Sequence, residues 1–130
     1  MTEPAIGGIS PFFIVRDVAA AIAFYGQRLG FAVTYQQPDD EPFFAIVCRE
    51  GAMILIKSVG EQAVPNSVRH PDARWDAYVH VADPDGLAEE YRGRGALFAV
   101  PLGDTEDGLR GFEVEDADGY VLFFGRPRLE

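Results

Sequence analysis

Residues 9–30, ISPFFIVRDVAAAIAFYGQRLG, decide the fold of this chain. Strand-forming apolar residues fill positions 9–15, and Asp17 stands where its carboxylate can cap the start of a helix. Four large apolar residues then recur at helical spacing: Val18, Ile22, Tyr25 and Leu29. Gly30 follows as the residue that ends the helix. The stretch therefore predicts a strand followed directly by an amphipathic helix.

Residues 75–95, WDAYVHVADPDGLAEEYRGRG, repeat this order of signals. Residues 75–81 are predicted to form a strand, Asp83 can cap a helix, and Pro84 occupies its first position. The capping aspartates, the glycines that end the helices and a glycine in a later turn recur after 65 to 68 residues: Asp17 with Asp83, Gly30 with Gly95, and Gly51 with Gly119. Such regular spacing indicates an internal duplication.

Three short strand-like runs follow each predicted helix. They are residues 31–36, 43–49 and 52–58 in the first half, and 97–100, 110–116 and 120–125 in the second. The stretches 59–74 and 101–109 are rich in proline and glycine and are predicted to be irregular. Each half is thus a βαβββ module. We predict an α+β fold in which tandem modules, residues 1–64 and 65–130, form a curved mixed sheet with a concave cleft, within one domain over residues 1–130.

Alternation along the strands predicts which side chains face that cleft. In residues 75–81 the small apolar residues Ala77, Val79 and Val81 suit a face covered by a helix. The opposite face carries Asp76, Tyr78 and His80, as expected for a surface that contacts solvent or ligand. The same alternation places Phe12 and Phe123 on the concave side, while Glu113 and Glu115 face either inward or toward solvent.

Composition restricts the possible partners and the compartment. The net charge is −10 and the pI is about 4.5, so nucleic acid and anionic membrane surfaces are disfavoured. The single cysteine excludes an intrachain disulfide. The first residues do not resemble a signal peptide, and no apolar run approaches the ~20 residues of a membrane span. We therefore expect a cytoplasmic protein.

Several segments together resemble the vicinal oxygen chelate superfamily of glyoxalases, bleomycin-resistance proteins and dioxygenases. They are Phe13–Val18, Ala23–Tyr25, Leu29–Phe31, Val79–Tyr91 and Arg110–Gly119. The order of the segments covers nearly the whole chain. The resemblance is strongest to the bleomycin-resistance branch, whose members are acidic homodimers that sequester a bulky cationic drug without catalysis.

The resemblance also identifies the positions that would hold a metal ion in metal-dependent members. Here they are Ser10, Leu55, Asp76 and Phe123. A divalent ion needs at least three good nitrogen or oxygen ligands, and these residues do not supply them. The resemblance therefore implies no metal and no other cofactor.

The leading hypothesis is a homodimer that binds a planar or aromatic small molecule, cationic or neutral, as antibiotic-resistance proteins of this branch do. The expected ligand-binding residues are Phe12, Trp75, Asp76, Tyr78, His80, Arg110 and Phe123, although Trp75 could instead belong to the core. The alternative is an enzyme of the superfamily, a glyoxalase- or dioxygenase-like lyase or isomerase, in which Asp76 or His80 would act as a base. A third possibility is a domain that only dimerises or contacts other proteins.

Overall fold

The computed structural model describes residues 4–128 of the chain. Both halves show the predicted order of one strand, one helix and three strands. The first module contains β1 (Phe12–Ile14), α1 (Val18–Leu29), β2 (Ala32–Gln37), β3 (Phe44–Arg49) and β4 (Ala52–Lys57). After the short helix α2 (Asn66–Arg69), the second contains β5 (Ala77–His80), α3 (Pro84–Gly93), β6 (Phe98–Asp104), β7 (Leu109–Glu115) and β8 (Val121–Pro127).

The strands of each module form their own four-stranded sheet. The strand order is β1-β4-β3-β2 in the first sheet and β5-β8-β7-β6 in the second. In both sheets the first strand pairs in parallel with the last, and the remaining pairs are antiparallel. The predicted α+β fold of tandem βαβββ modules is confirmed. Within residues 4–128, however, the strands lie in two sheets that share no strand pairing.

The helix ends follow the predicted capping signals. The Asp17 carboxylate accepts a hydrogen bond from the backbone N–H of Ala20 at 3.3 Å, and Asp83 accepts one from Gly86 at 3.1 Å. These bonds satisfy amide groups that have no partner inside the helix. Gly30 ends α1 with a φ of 74°, a left-handed conformation that glycine adopts without strain. Within residues 4–128, none of the three helices is long and apolar enough to cross a membrane.

Burial follows the predicted alternation in β1, β3 and β4. In β7 and β8 both faces are buried, and Glu113 and Phe123 lie on the face opposite the helix. Each sheet buries one face beneath its helix, and the buried strand residues include Phe13, Ile54, Ile56, Phe112, Val114, Leu122 and Phe124. These residues occupy alternate positions, because successive side chains of a strand point to opposite faces. We call the face that carries no helix the open face of each sheet.

The two modules pack through their helix-bearing sides. The Tyr25 hydroxyl of α1 donates to Asp116 at 2.7 Å, and the Tyr91 hydroxyl of α3 donates to the carbonyl of Leu29 at 2.8 Å. Residues from both modules form one hydrophobic core. This packing leaves the open faces on the outside of the chain, and β1 and β5 are edge strands of separate sheets.

The prediction that residues 101–109 are irregular is wrong for the first part of that stretch, since β6 continues to Asp104. The strand tolerates Pro101 and Gly103 because its pairing with β7 shifts register between Phe98 and Val100 and again between Val100 and Gly103. Such irregularities accommodate a residue that has no N–H to donate. The stretch 59–74 also differs from the prediction, because it contains α2.

Candidate ligand-binding site

An aromatic cluster lies on the open face of the second sheet, centred on Phe123. Strand pairing places Tyr78 on one side of Phe123 and Glu113 on the other. The ring of Phe123 stacks on Trp75 with 4.5 Å between centroids and lies 5.2 Å from Tyr78. His80 extends the row, with its ring 4.7 Å from that of Tyr78. We call Trp75, Tyr78, His80 and Phe123 the aromatic cluster.

Two glycines allow the ring of Phe123 to lie flat on the sheet. Gly111 and Gly125 are paired across β7 and β8. A Cβ atom at Gly111 would lie 2.7 Å from the Phe123 ring, and one at Gly125 would lie 2.5 Å from it. Because neither position has a side chain, the ring covers their backbone and only 1% of Phe123 remains exposed. The glycine pair was missed by the sequence analysis, although glycine within two neighbouring strands is a signal of close approach.

A buried carboxylate lies beside the cluster. Glu113 is 7% exposed, and its Oε2 accepts a hydrogen bond from the Trp75 indole N–H at 2.9 Å. The Arg74 guanidinium donates to the same oxygen at 3.3 Å and lies 4.8 Å above the Trp75 ring. A buried anion needs such partners, because desolvation of an unpaired charge is costly. Thus Glu113 lies on the open face beside Phe123 and is buried there, rather than exposed to solvent.

The two titratable rings of the cluster differ in exposure. Tyr78 is half-buried, whereas His80 is exposed. Burial raises the pKa of Tyr78, and the negative charge of Asp107 adds to this effect. Tyr78 therefore remains a neutral phenol at physiological pH. It can stack on a ligand ring and offer its hydroxyl as a hydrogen-bond donor or acceptor.

The structure places Asp76 beside the cluster but engages its carboxylate elsewhere. One oxygen accepts a hydrogen bond from the backbone N–H of Asn66, and the other from that of Val121, both at 2.8 Å. These bonds tie the start of α2 and the start of β8 to the residue before β5. Asp76 thus positions the strand that carries Tyr78.

The other superfamily metal positions present no donor set. Ser10 is exposed ahead of β1, Leu55 is a half-buried residue of β4, and Phe123 lies beneath Trp75. Among residues 4–128, no three histidine, cysteine, aspartate or glutamate side chains come together in a way that could hold a metal ion.

Two of the predicted site residues lie apart from the aromatic cluster. Arg110 points to the helix-bearing side of the second sheet, where it donates two hydrogen bonds to Asp85 at 2.8 and 2.7 Å and one to Asp104 at 3.0 Å. Phe12 lies on the open face of the first sheet, with its ring 6.3 Å from Phe44. Sequence alternation identified the face of Phe12 correctly, but not that the modules turn their open faces apart.

The open face of the first sheet is apolar and accessible. Its exposed members include Phe12, Ile14, Tyr35 and Met53. Phe12, at 54% exposure, is the counterpart of Tyr78, since each lies five residues before the aspartate that caps the next helix. The two open faces thus offer different chemistry, one apolar and one aromatic and acidic.

The tandem βαβββ architecture and an open face lined with aromatic rings define a class of small proteins built from duplicated modules. A model of the Glyoxalase/Bleomycin resistance protein/Dioxygenase superfamily matches residues 8–124. The chain belongs to this superfamily, as the resemblance of its segments predicted. No curated protein sequence matches the chain.

Solved structures with the same fold include proteins described as binding antibiotics. The bleomycin-binding protein of bleomycin-producing Streptomyces verticillus, complexed with copper(II)-bleomycin, is 24% identical with a TM-score of 0.69, covering 99% of this chain and 100% of that chain. TnmS3, an antibiotic-binding protein from Streptomyces sp. CB03234, is 22% identical with a TM-score of 0.67, covering 96% and 99%. TioX from Micromonospora sp. ML1 is 22% identical with a TM-score of 0.72, covering 92% and 97%. At these identities the similarity establishes the fold alone.

Proposed function

We propose that this protein binds and sequesters a planar, cationic small molecule on the open face of its second sheet. The observation that carries the proposal is the buried carboxylate of Glu113 beside the aromatic cluster. Aromatic rings bind a planar ligand by stacking, and a buried carboxylate selects a positive charge. The antibiotic-binding descriptions of two relatives of the same fold agree with this ligand class.

Two of the protein's own side chains occupy the site with the groups expected of such a ligand, a planar ring and a cation. Trp75 supplies a planar ring stacked on Phe123, and Arg74 supplies a cation paired with Glu113. Half of the Arg74 side chain is exposed, so solvent competes for this ion pair and weakens it. A ligand that carries both a ring and a cation can replace Arg74 at Glu113 while stacking on the cluster.

The same proposal includes a cytoplasmic homodimer that has no metal-dependent catalysis. Exposed apolar residues on the first open face, including Phe12 and Met53, supply a surface that a second copy could cover. Both carboxylate oxygens of Asp76 are bonded to backbone amides, and this supports a binding role over that of a general base. The ligand would then lie between the aromatic cluster of one protomer and the first module of the other.

The proposal is tested by calorimetric titration with bleomycin and a panel of cationic aromatic antibiotics. Glu113→Gln keeps the shape and the hydrogen bond to Trp75 but removes the charge, and we expect it to weaken binding by about 1.5–3 kcal/mol, the usual contribution of a hydrogen bond to a charged group. Glu115→Gln, two residues along the same strand and face, is the matched control and should leave affinity unchanged. Equal affinity of wild type and Glu113→Gln for every compound that binds would refute the site.

A further inference from the structure

The hairpins β3–β4 and β7–β8 occupy equivalent places in the two modules. Arg49 pairs with Ala52 at the end of the first hairpin, and the N–H of Asp116 donates to the carbonyl of Tyr120 at the end of the second. A glycine, Gly51 or Gly119, immediately precedes the later residue of each pair. Ala52 and Tyr120 are therefore counterparts within the duplication.

The side chain of Tyr120 fills one side of the junction between the modules. Its ring stacks on Phe13 with 4.2 Å between centroids and 5° between planes. Its hydroxyl donates to the carbonyl of Ile14 at 2.6 Å, and only 7% of the residue is exposed. A phenol held flat against an edge strand thus closes this side of the junction.

A cavity of about 650 Å³ lies on the other side of the junction. Ala52 lines the cavity at the place that Tyr120 holds in the other half. Val79 and His80 also line it, and their counterparts 66 residues earlier are Phe13 and Ile14. The exchange of two aromatic rings for a methyl group and an isopropyl group leaves empty the space that the phenol fills in the other half. Buried side chains close the deep wall, among them Ile54, Tyr91 and Phe124.

The charges around the cavity restrict what can enter it. Arg49 lies at its rim but is held by two hydrogen bonds to Glu90, at 2.8 and 2.9 Å. These bonds hold the pKa of Glu90 at about 2, so the pair stays fully ionised near neutral pH. Glu50 and Asp83 add two further negative charges. The rim therefore disfavours anions, whereas the interior offers Ala52, Val79 and Leu87 to an uncharged ring.

We propose that this cavity is a second small-molecule site, separate from Glu113, which binds a neutral phenolic ring. The ring would pack against Val79 and Leu87, and its hydroxyl would donate to the carbonyl of His80, as Tyr120 donates to that of Ile14. The volume lies within the range of sites that bind small molecules, roughly 300–1,000 Å³. We choose a phenol as the ligand because the phenol of Tyr120 occupies the equivalent place on the other side of the junction.

The test is a calorimetric and NMR titration of the full chain with 4-methylphenol. Wild type should bind one equivalent per chain, and Ala52→Tyr, which restores the ring present in the other module, should bind at least tenfold more weakly. Glu113→Gln is the matched control and should bind 4-methylphenol as wild type does, which shows that the carboxylate of Glu113 is not used. Ala52 lines the cavity and is not a member of the aromatic cluster, so the loss in Ala52→Tyr distinguishes the two places. Persistence of wild-type affinity in Ala52→Tyr, or no saturable binding by wild type, would overturn the proposal.

A second variant examines the counterpart directly. Tyr120→Ala should open a matching cavity and raise the stoichiometry to two equivalents, whereas one equivalent in a folded Tyr120→Ala protein would overturn the analogy. Should Tyr120→Ala fail to fold, Ala52→Tyr still decides the question, because it adds a ring to open space.

Sedimentation of Ala52→Tyr is measured in parallel. Conversion of a wild-type dimer into monomers would show that a partner chain fills the cavity, and would also overturn the proposal.

Discussion

The two modules share a skeleton, yet their open faces have become different surfaces. In the first module the face presents exposed apolar side chains such as Phe12 and Met53. In the second it presents stacked rings and the buried carboxylate of Glu113. Helix caps and core residues must be kept for each module to fold, but an open face contributes less to the core and can change. The difference shows that the aromatic and acidic side chains of the proposed site belong to one half of the duplicated fold.

The largest effect should come from the glycine pair that only the second module contains. Its counterparts at the equivalent positions of the first sheet are Phe44 and Lys57, which are paired with each other. In Gly111→Val the new side chain would meet the backbone carbonyl of Phe124 and the ring of Phe123. Since backbone cannot move aside cheaply, we expect the free energy of unfolding to fall by roughly 3 kcal/mol or more.

Urea denaturation of Gly111→Val measures this effect, and Phe44→Val provides the comparison. Phe44 is half-buried at the equivalent place, so we expect a loss of only about 1 kcal/mol. Similar losses in the two variants would mean that the packing of the Phe123 ring on the glycine pair is not a special requirement of the second module.

The second effect concerns Asp116, whose counterpart in the first module is Arg49. Burial raises the pKa of Asp116 from 3.8 to about 6, although hydrogen bonds from Tyr25 and from two backbone amides act in the opposite direction. A carboxyl group with a raised pKa in the folded state stabilises the fold below its unfolded pKa, and this contribution is lost as pH rises through the folded pKa. The free energy of unfolding should therefore contain a term that decreases by roughly 2 kcal/mol between pH 4 and pH 6, out of about 3 kcal/mol over the full titration.

Unfolding free energies of wild type and Asp116→Asn across this pH range isolate that term. The wild-type value should fall relative to that of the variant as pH rises, since asparagine does not ionise. Asp72→Asn, on an exposed loop, serves as the control and should follow wild type. Parallel curves for wild type and Asp116→Asn would contradict the raised pKa.

The smallest effect tests what the modules have kept in common. Asp17 and Asp83 cap α1 and α3 through equivalent hydrogen bonds to the third residue along. Replacement of either by alanine should lower the free energy of unfolding by about 1 kcal/mol, the usual loss for an N-cap. Thermal denaturation of the two variants should give nearly equal decreases, and clearly unequal values would show that the duplication no longer preserves the role of the caps.

Local signals were sufficient to predict the modules. The spacing of Asp17, Tyr25 and Gly30 predicted α1 because capping and amphipathic periodicity act within a few residues. Alternation identified the faces of Tyr78 and Phe123, since that pattern depends only on the pleat of a strand. The extent of β6 was missed because its bulges arise from pairing with β7 rather than from its own sequence.

The candidate site was only partly predictable for the same reason. Trp75, Tyr78, His80 and Phe123 were all identified, and the structure brings them together. The role of Gly111 was missed because it becomes visible only when β7 lies beside β8. The hydrogen bonds of Asp76 could not be read from its strand position, because they join residues 10 and 45 positions away.

The sequence by itself therefore determined the duplication, the caps, the family and the faces of the strands, because each of these depends on spacing or on contacts between near neighbours. Only the tertiary structure decided that the helix-bearing sides meet, that Glu113 is buried beneath Trp75, and that Ala52 leaves a cavity where Tyr120 fills its equivalent. These features depend on which distant side chains share a volume. Packing of the whole chain sets that arrangement, and no local pattern encodes it.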